Sequence, residues 1–191
     1  KNGAIPPSPI VSCLGRLKDV NKTVPAHFQK SKSILVLIGE RKDELGGSVY
    51  YSLFHELGAN VPKPNFEEVK NQIFALTDCI DDGMVLSCHD IADGGIASAL
   101  AEMTFGNAIG CKVKIDSVLT MDKFLFSETG GFILEVSSEN FDKIKSVFSK
   151  YGLDTFEIGT TGGSKIQING VIKISVNKTK EAWTNGLRNK L

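Results

Sequence analysis

Met84-Val85-Leu86-Ser87 runs into Cys88-His89-Asp90-Ile91-Ala92-Asp93-Gly94-Gly95, and Ile96-Ala97-Ser98-Ala99-Leu100-Ala101-Glu102-Met103 follows at once. An apolar segment, a turn holding two carboxylates and two glycines, and a helix-forming segment stand here in that order. The pattern predicts a strand over 84–87 and a helix over 94–105. A strand-loop-helix of this kind leaves backbone N–H groups unpaired at the helix start. Either Asp90 or Asp93 caps them, or a ligand takes their place.

Working outward, Ile34 to Ile38 reads as a buried strand, and Glu44-Leu45-Gly46-Gly47-Ser48 as a turn opening a helix over 49–57 that Gly58 ends. Asn65 caps a helix reaching Ile80, whose apolar face is drawn through Phe66, Val69, Ile73, Leu76 and Ile80. On the other side, Cys111 to Ile115 alternates like a short strand, and Phe132 to Val136 is a strand preceded by the turn 127–131. Phe141, Ile144, Val147, Phe148 and Tyr151 line a helix face, with Gly152 beyond its end. Residues 156–159 are strand-like, 165–168 and 171–174 flank Asn169-Gly170 as a hairpin, and Ala182-Trp183 and Leu187 belong to a short closing helix. Strands and helices alternate without a regular parallel rhythm and include an antiparallel hairpin. The expectation is an α+β fold, a mixed β-sheet packed with helices, in place of a doubly wound parallel one.

The Pro-rich stretch 5–9 cannot be helical, and Ile10 to Gly15 reads as a strand whose sheet lies outside the chain. Polar residues 16–33, with Pro25 among them, suit a connection. The chain begins at Lys1 without an initiator methionine and reads as a piece of something longer.

With 191 residues, 41% of them hydrophobic, a sizeable core is available. The 22 basic residues balance 22 acidic ones, so no general field draws nucleic acid or anionic lipid. The longest apolar runs are strand-sized, too short for a membrane-spanning helix. Cysteines 13, 79, 88 and 111 show no paired metal-ligand spacing and read as reduced, mostly buried thiols of a cytosolic protein.

Three turns carry candidate chemistry. In the first, Gly94 and Gly95 allow close approach of a phosphate, but Asp90 and Asp93 repel it unless a divalent cation lies between. The rival reading has Asp93 capping the helix, Asp90 tying the turn and His89 bonding a backbone carbonyl. In the second, Gly46, Gly47 and Ser48 carry no carboxylate and make a simpler phosphate cradle, or a plain helix cap. The third, Ser127-Glu128-Thr129, offers a carboxylate and two hydroxyls, with His27, His55 and His89 remote in sequence. No Gly-x-x-x-x-Gly-Lys-Ser/Thr loop and no Gly-x-Gly-x-x-Gly fingerprint occurs, and no Gly-x-Ser-x-Gly elbow.

Five motifs in one order carry a resemblance: 5–15 (Ile-Pro-Pro-Ser-Pro-Ile-Val-Ser-Cys-Leu-Gly), 38–40 (Ile-Gly-Glu), 44–51 (Glu-Leu-Gly-Gly-Ser-Val-Tyr-Tyr), 87–103 and 125–129 (Leu-Phe-Ser-Glu-Thr). Together they resemble the C-terminal quarter of the large subunit of the phosphoribosylformylglycinamidine synthases, within the aminoimidazole ribonucleotide synthetase superfamily. The resemblance implies that residues 1–25 are a remnant of a preceding ATP-binding half and its linker. Residues 26–191 are then the C-terminal α/β domain.

It also implies an ATP-dependent carbon–nitrogen ligase of purine biosynthesis, converting formylglycinamide ribonucleotide and glutamine-derived ammonia to the amidine, with ATP and Mg2+ as cofactors of the full enzyme. No catalytic residue is implied in this chain, and the fragment alone is expected to be inactive and to hold no cofactor firmly. Implied partners are the remaining domains of the same polypeptide, a glutaminase subunit and a small accessory subunit, in the cytoplasm. Exposed strand edges allow self-association. The family's substrate-contacting turn has a Glu-Ser-Gln-Glu-Arg type sequence in the first copy of this half, whereas Ser127-Glu128-Thr129-Gly130-Gly131 has no arginine. The rival functions are half of a related small-molecule kinase and a purely structural domain.

Overall fold

The computed structural model describes residues 10–17 and 19–188. Among them, one sheet gathers β1 (Ile34–Ile38), β2 (Val85–Asp90), β3 (Cys111–Val113), β4 (Phe132–Val136), β5 (Thr155–Thr161), β6 (Lys165–Ile168) and β7 (Ile172–Ser175), in the order β2-β4-β1-β5-β3-β6-β7. Only β3 and β6 run parallel; every other neighbouring pair is antiparallel. This is the mixed sheet of an α+β fold. The helices are α1 (Val49–Ser52), α2 (Phe66–Asp81), α3 (Gly95–Met103), α4 (Met121–Phe126), α5 (Phe141–Lys150) and α6 (Val176–Asn185).

Strand β1 explains the two-sided core. Leu35 and Leu37 point into one cluster, with Ile96 and Leu100 of α3 and Phe124 and Leu125 of α4. Val36 and Ile38 point into the other, with Ala75, Leu76 and Cys79 of α2 and Ile144 and Phe148 of α5. A strand covered on both faces is apolar throughout, which is why Ile-Leu-Val-Leu-Ile shows no alternation.

Several expectations need correction. Residues 10–15 form no strand: Ile10, Val11 and Leu14 are extensively exposed and irregular. The stretch 5–9 lies outside the described residues. Helix α1 stops at Ser52, not Leu57, because the chain folds back: Gly47 N–H donates to Leu57 O and Gly46 N–H to Asn60 O. Helix α2 begins at its predicted cap, Asn65, but buries Gln72, Ala75, Leu76 and Cys79, leaving Phe66 and Ile73 exposed. Its buried stripe runs i, i+3, i+4, i+7, rotated from the expected face.

Strand β2 extends to Asp90 because Asp90 still pairs with Phe132. Strand β3 ends at Val113, after which Asn169 seizes the backbone of Ile115 through both ends of its amide. Helix α4 has no counterpart in the sequence reading. The closing helix starts earlier than expected, at Val176, directly after β7 and capped by Ser175.

Candidate functional site

The strand order places the entrance of β4 between the ends of β1 and β2, so the turn 127–131 meets both glycine turns. At their centre lies Glu128. Its Oε1 accepts the N–H of Val49, the first residue of α1, at 2.8 Å, and the N–H of Gly94, at the start of α3, at 2.9 Å. One carboxylate oxygen therefore joins segments that are 34 and 79 residues away in sequence.

The turn bearing Glu128 is held from behind. Arg41, just past β1 and 6% exposed, donates through its guanidinium to the carbonyls of Ser127, Thr129 and Gly130. Burial pushes the Arg41 pKa down to about 10, with Glu44 partly opposing, so the side chain remains a cation at neutral pH. The turn itself has no arginine, and the one that binds its carbonyls comes from the segment after β1. Thr129 Oγ1 donates to Glu44 Oε2 at 2.8 Å and bonds Ser127 Oγ at the same distance. Ser127 is fully buried, whereas Thr129 is half-buried.

The sequence-predicted residues fall around this centre as follows. Gly46, Gly47 and Ser48 donate their N–H groups to Asn60 O, Leu57 O and Leu45 O. The Ser48 hydroxyl donates to Leu45 O at 2.6 Å and accepts from Tyr51 N–H. In this conformation the second turn presents none of these groups to a phosphate. Helix α3 is capped by Gly94 in the left-handed region, without a side-chain cap, and Asp93 is exposed beside it. Gly95 N–H donates to Ala92 O.

Asp90 ends β2 with its carboxylate 3.5 Å from His89 Nδ1. That ring nitrogen bonds Asp90 O at 2.7 Å, and Nε2 lies 3.1 Å from Glu102 Oε2. His89 accordingly ties the end of β2 to α3. Among the described residues no three carboxylate, imidazole or thiol side chains converge as a metal-ion set.

Gly95 explains how α3 comes so near. Its φ is +65°, and a Cβ there would lie 2.5 Å from Leu125 O and 2.8 Å from Ser127 O. Only a glycine lets the helix start press on the backbone that leads to Glu128. The sequence pattern marks the Glu128 carboxylate but not its two donors, and it gives no role to Arg41 or to the Glu44 side chain. The one sequence signal was a run of charges, Glu40 to Glu44, directly after a buried strand.

Comparison with known proteins fits this geometry into a family. Residues 32–169 match the family described as AIR synthase related protein, C-terminal domain. The chain is 34% identical to phosphoribosylformylglycinamidine synthase subunit PurL of Methanothrix thermoacetophila, over 97% of this chain and 25% of that protein. It is 33% identical to the same subunit of Moorella thermoacetica, over 98% of this chain and 26% of that one. The chain thus spans about a quarter of the length of these relatives.

In fold it is similar to Thermotoga maritima PurL complexed with FGAR, with a TM-score of 0.71 at 17% identity, over 84% of this chain and 30% of that one. Escherichia coli HypE, a hydrogenase maturation protein, shares the fold with a TM-score of 0.56 at 17% identity, over 80% of this chain and 52% of that one. From the match over residues 32–169, the chain belongs to the AIR synthase related protein family, as its C-terminal domain.

Proposed function

We propose that this chain is the C-terminal quarter of the large subunit of a phosphoribosylformylglycinamidine synthase and serves that ATP-dependent ligase as a supporting half. The observation that carries this is the likeness to PurL subunits at about one-third identity along nearly the whole chain. In this reading residues 1–25 belong to the preceding ATP-binding half, and 26–191 to the domain itself. A structure of Thermotoga maritima PurL complexed with ATP shares the fold, which supports ATP as the cofactor of the whole enzyme. Mg2+ would neutralise phosphate charge in the whole enzyme.

The remaining domains of the polypeptide, a glutaminase subunit and a small accessory subunit are the proposed partners, and the structure called PurLQS from Thermotoga maritima supports an assembly of this kind. The cytoplasm is the proposed compartment. No helix among the described residues is long and apolar enough to cross a membrane. The turns at 46–48 and 90–95 act in this reading as structural supports: their N–H groups that have partners bond internal carbonyls or Glu128. That geometry favours a supporting half over a small-molecule kinase half.

The test mixes this chain with Mg-ATP, formylglycinamide ribonucleotide and ammonia and measures ADP release. None is expected. The parallel experiment deletes the matching residues from a complete synthase, and loss of its activity is expected. Turnover by the chain alone, or full activity of the deleted enzyme, overturns the proposal.

A further inference from the structure

We propose that Glu128 is a positioning residue that acts as the resident anion of both glycine turns, so that the two helix starts are organised by an internal carboxylate and not by an external phosphate. This role of Glu128 does not depend on whether the chain serves the ligase.

A carboxylate near a helix start normally satisfies donors of one helix. Here a single atom, Glu128 Oε1, accepts from Val49 N–H at 2.8 Å and from Gly94 N–H at 2.9 Å. The two donors belong to different elements, the first residue of α1 and the N-cap residue of α3. Backbone N–H groups aimed at one oxygen are the arrangement with which proteins bind anionic oxygens, and charge-assisted bonds of this kind are stronger than neutral ones.

Three further features hold the carboxylate where it is. Arg41 fastens the carbonyls on either side of Glu128. Thr129, the next residue, is fastened to Glu44. Gly95, lacking a side chain, lets α3 come against the carbonyls of Leu125 and Ser127. The N-cap position of α3 is Gly94, with no side-chain cap hydrogen bond, and its own N–H is the one that Glu128 accepts.

The test measures amide hydrogen exchange at Val49 and Gly94 in the wild-type chain, in Glu128→Ala and in Glu128→Gln. In the alanine variant both amides are expected to exchange roughly tenfold faster or more, together, as a charged acceptor is lost. Acetate, a free carboxylate, is expected to restore protection of both amides in that variant, whereas chloride at equal ionic strength restores neither. Wild type is expected to respond to neither salt. If the alanine variant fails to fold, the glutamine variant decides: its amide oxygen fits the position without the charge, and both amides are expected to lose part of their protection in step.

A purely structural loosening would raise exchange across the turn and ignore acetate. Unchanged exchange in the variants, a response at only one of the two amides, or equal effects of acetate and chloride overturns the proposal.

Discussion

The hydroxyl of Ser87, on β2, donates a 2.8 Å hydrogen bond to the carboxylate of Glu135, on β4. Both residues are completely buried. The same carboxyl group accepts the N–H groups of Gln29 and Lys30, at 2.7 and 2.9 Å, so a buried side chain of the sheet fastens the segment leading into β1. Glu135→Ala leaves three donors unpaired and is expected to cost about 3 kcal/mol or more, with Ser87→Ala costing about 1–2 kcal/mol. Urea unfolding of the two variants checks the order; a smaller loss for Glu135→Ala than for Ser87→Ala contradicts it.

Gly95 and Gly83 both hold φ near +66°, at +65° and +67°, but differ in their surroundings. A Cβ at Gly83 meets nothing within 4 Å, while at Gly95 it runs into the backbone of α4's end. Gly83→Ala is expected to cost about 1 kcal/mol of backbone strain, and Gly95→Ala about 2 kcal/mol more, since that carbonyl cannot move aside without disturbing the turn. Thermal unfolding of both, side by side, isolates the packing contribution.

Arg41 is buried with its Nε lacking a partner among the described residues, and its remaining N–H groups spread over three carbonyls. Arg41→Lys keeps the charge but loses the planar fork, and is expected to destabilise by about 1–3 kcal/mol. Because the turn it holds carries Glu128, proteolytic nicking near 127–131 should appear in the variant before it appears elsewhere. Limited proteolysis with mass mapping reads this directly, and first cleavage in another segment would separate Arg41 from the turn.

Burial pushes the thiol pKa of Cys79 up to about 11 and those of Cys88 and Cys111 to about 12, with Asp78 and Asp82 adding to the first and Asp90 to the second. Cys13 is exposed. At pH 8 a thiol reagent should label Cys13 quickly and the other three only on unfolding. A folded-state pKa raised above its unfolded value gives stability that is complete below about pH 9 and is lost as pH climbs towards 11–12, because the unfolded chain releases those protons first. Cys111→Ala is expected to flatten that alkaline fall, measured as denaturant midpoint against pH.

Local elements were largely legible. The unbroken apolar run of β1, the Asn65 cap of α2, the Asn169-Gly170 hairpin turn, and the α5 face through Ile144 and Phe148 are all short-range patterns. The misreadings share a cause in contacts from elsewhere. The α1 helix ends early because Leu57 and Asn60 turn back on the glycines, and the buried stripe of α2 is set by α5 and the sheet, not by its most apolar residues. Helix α4 is only six residues long and offers too little periodicity to be seen.

The sequence by itself determined the mixed character of the fold, the places of the turns and the family resemblance, since each rests on residue order over a few neighbouring positions. Only the tertiary structure decided what the turns do. The sheet order β2-β4-β1 brings Glu128 between Val49 and Gly94, and places Arg41 behind it. Hydrogen-bond donors carry no mark of their acceptor in the sequence, so a carboxylate that could have served a ligand proves to be the anion that two helix starts already share.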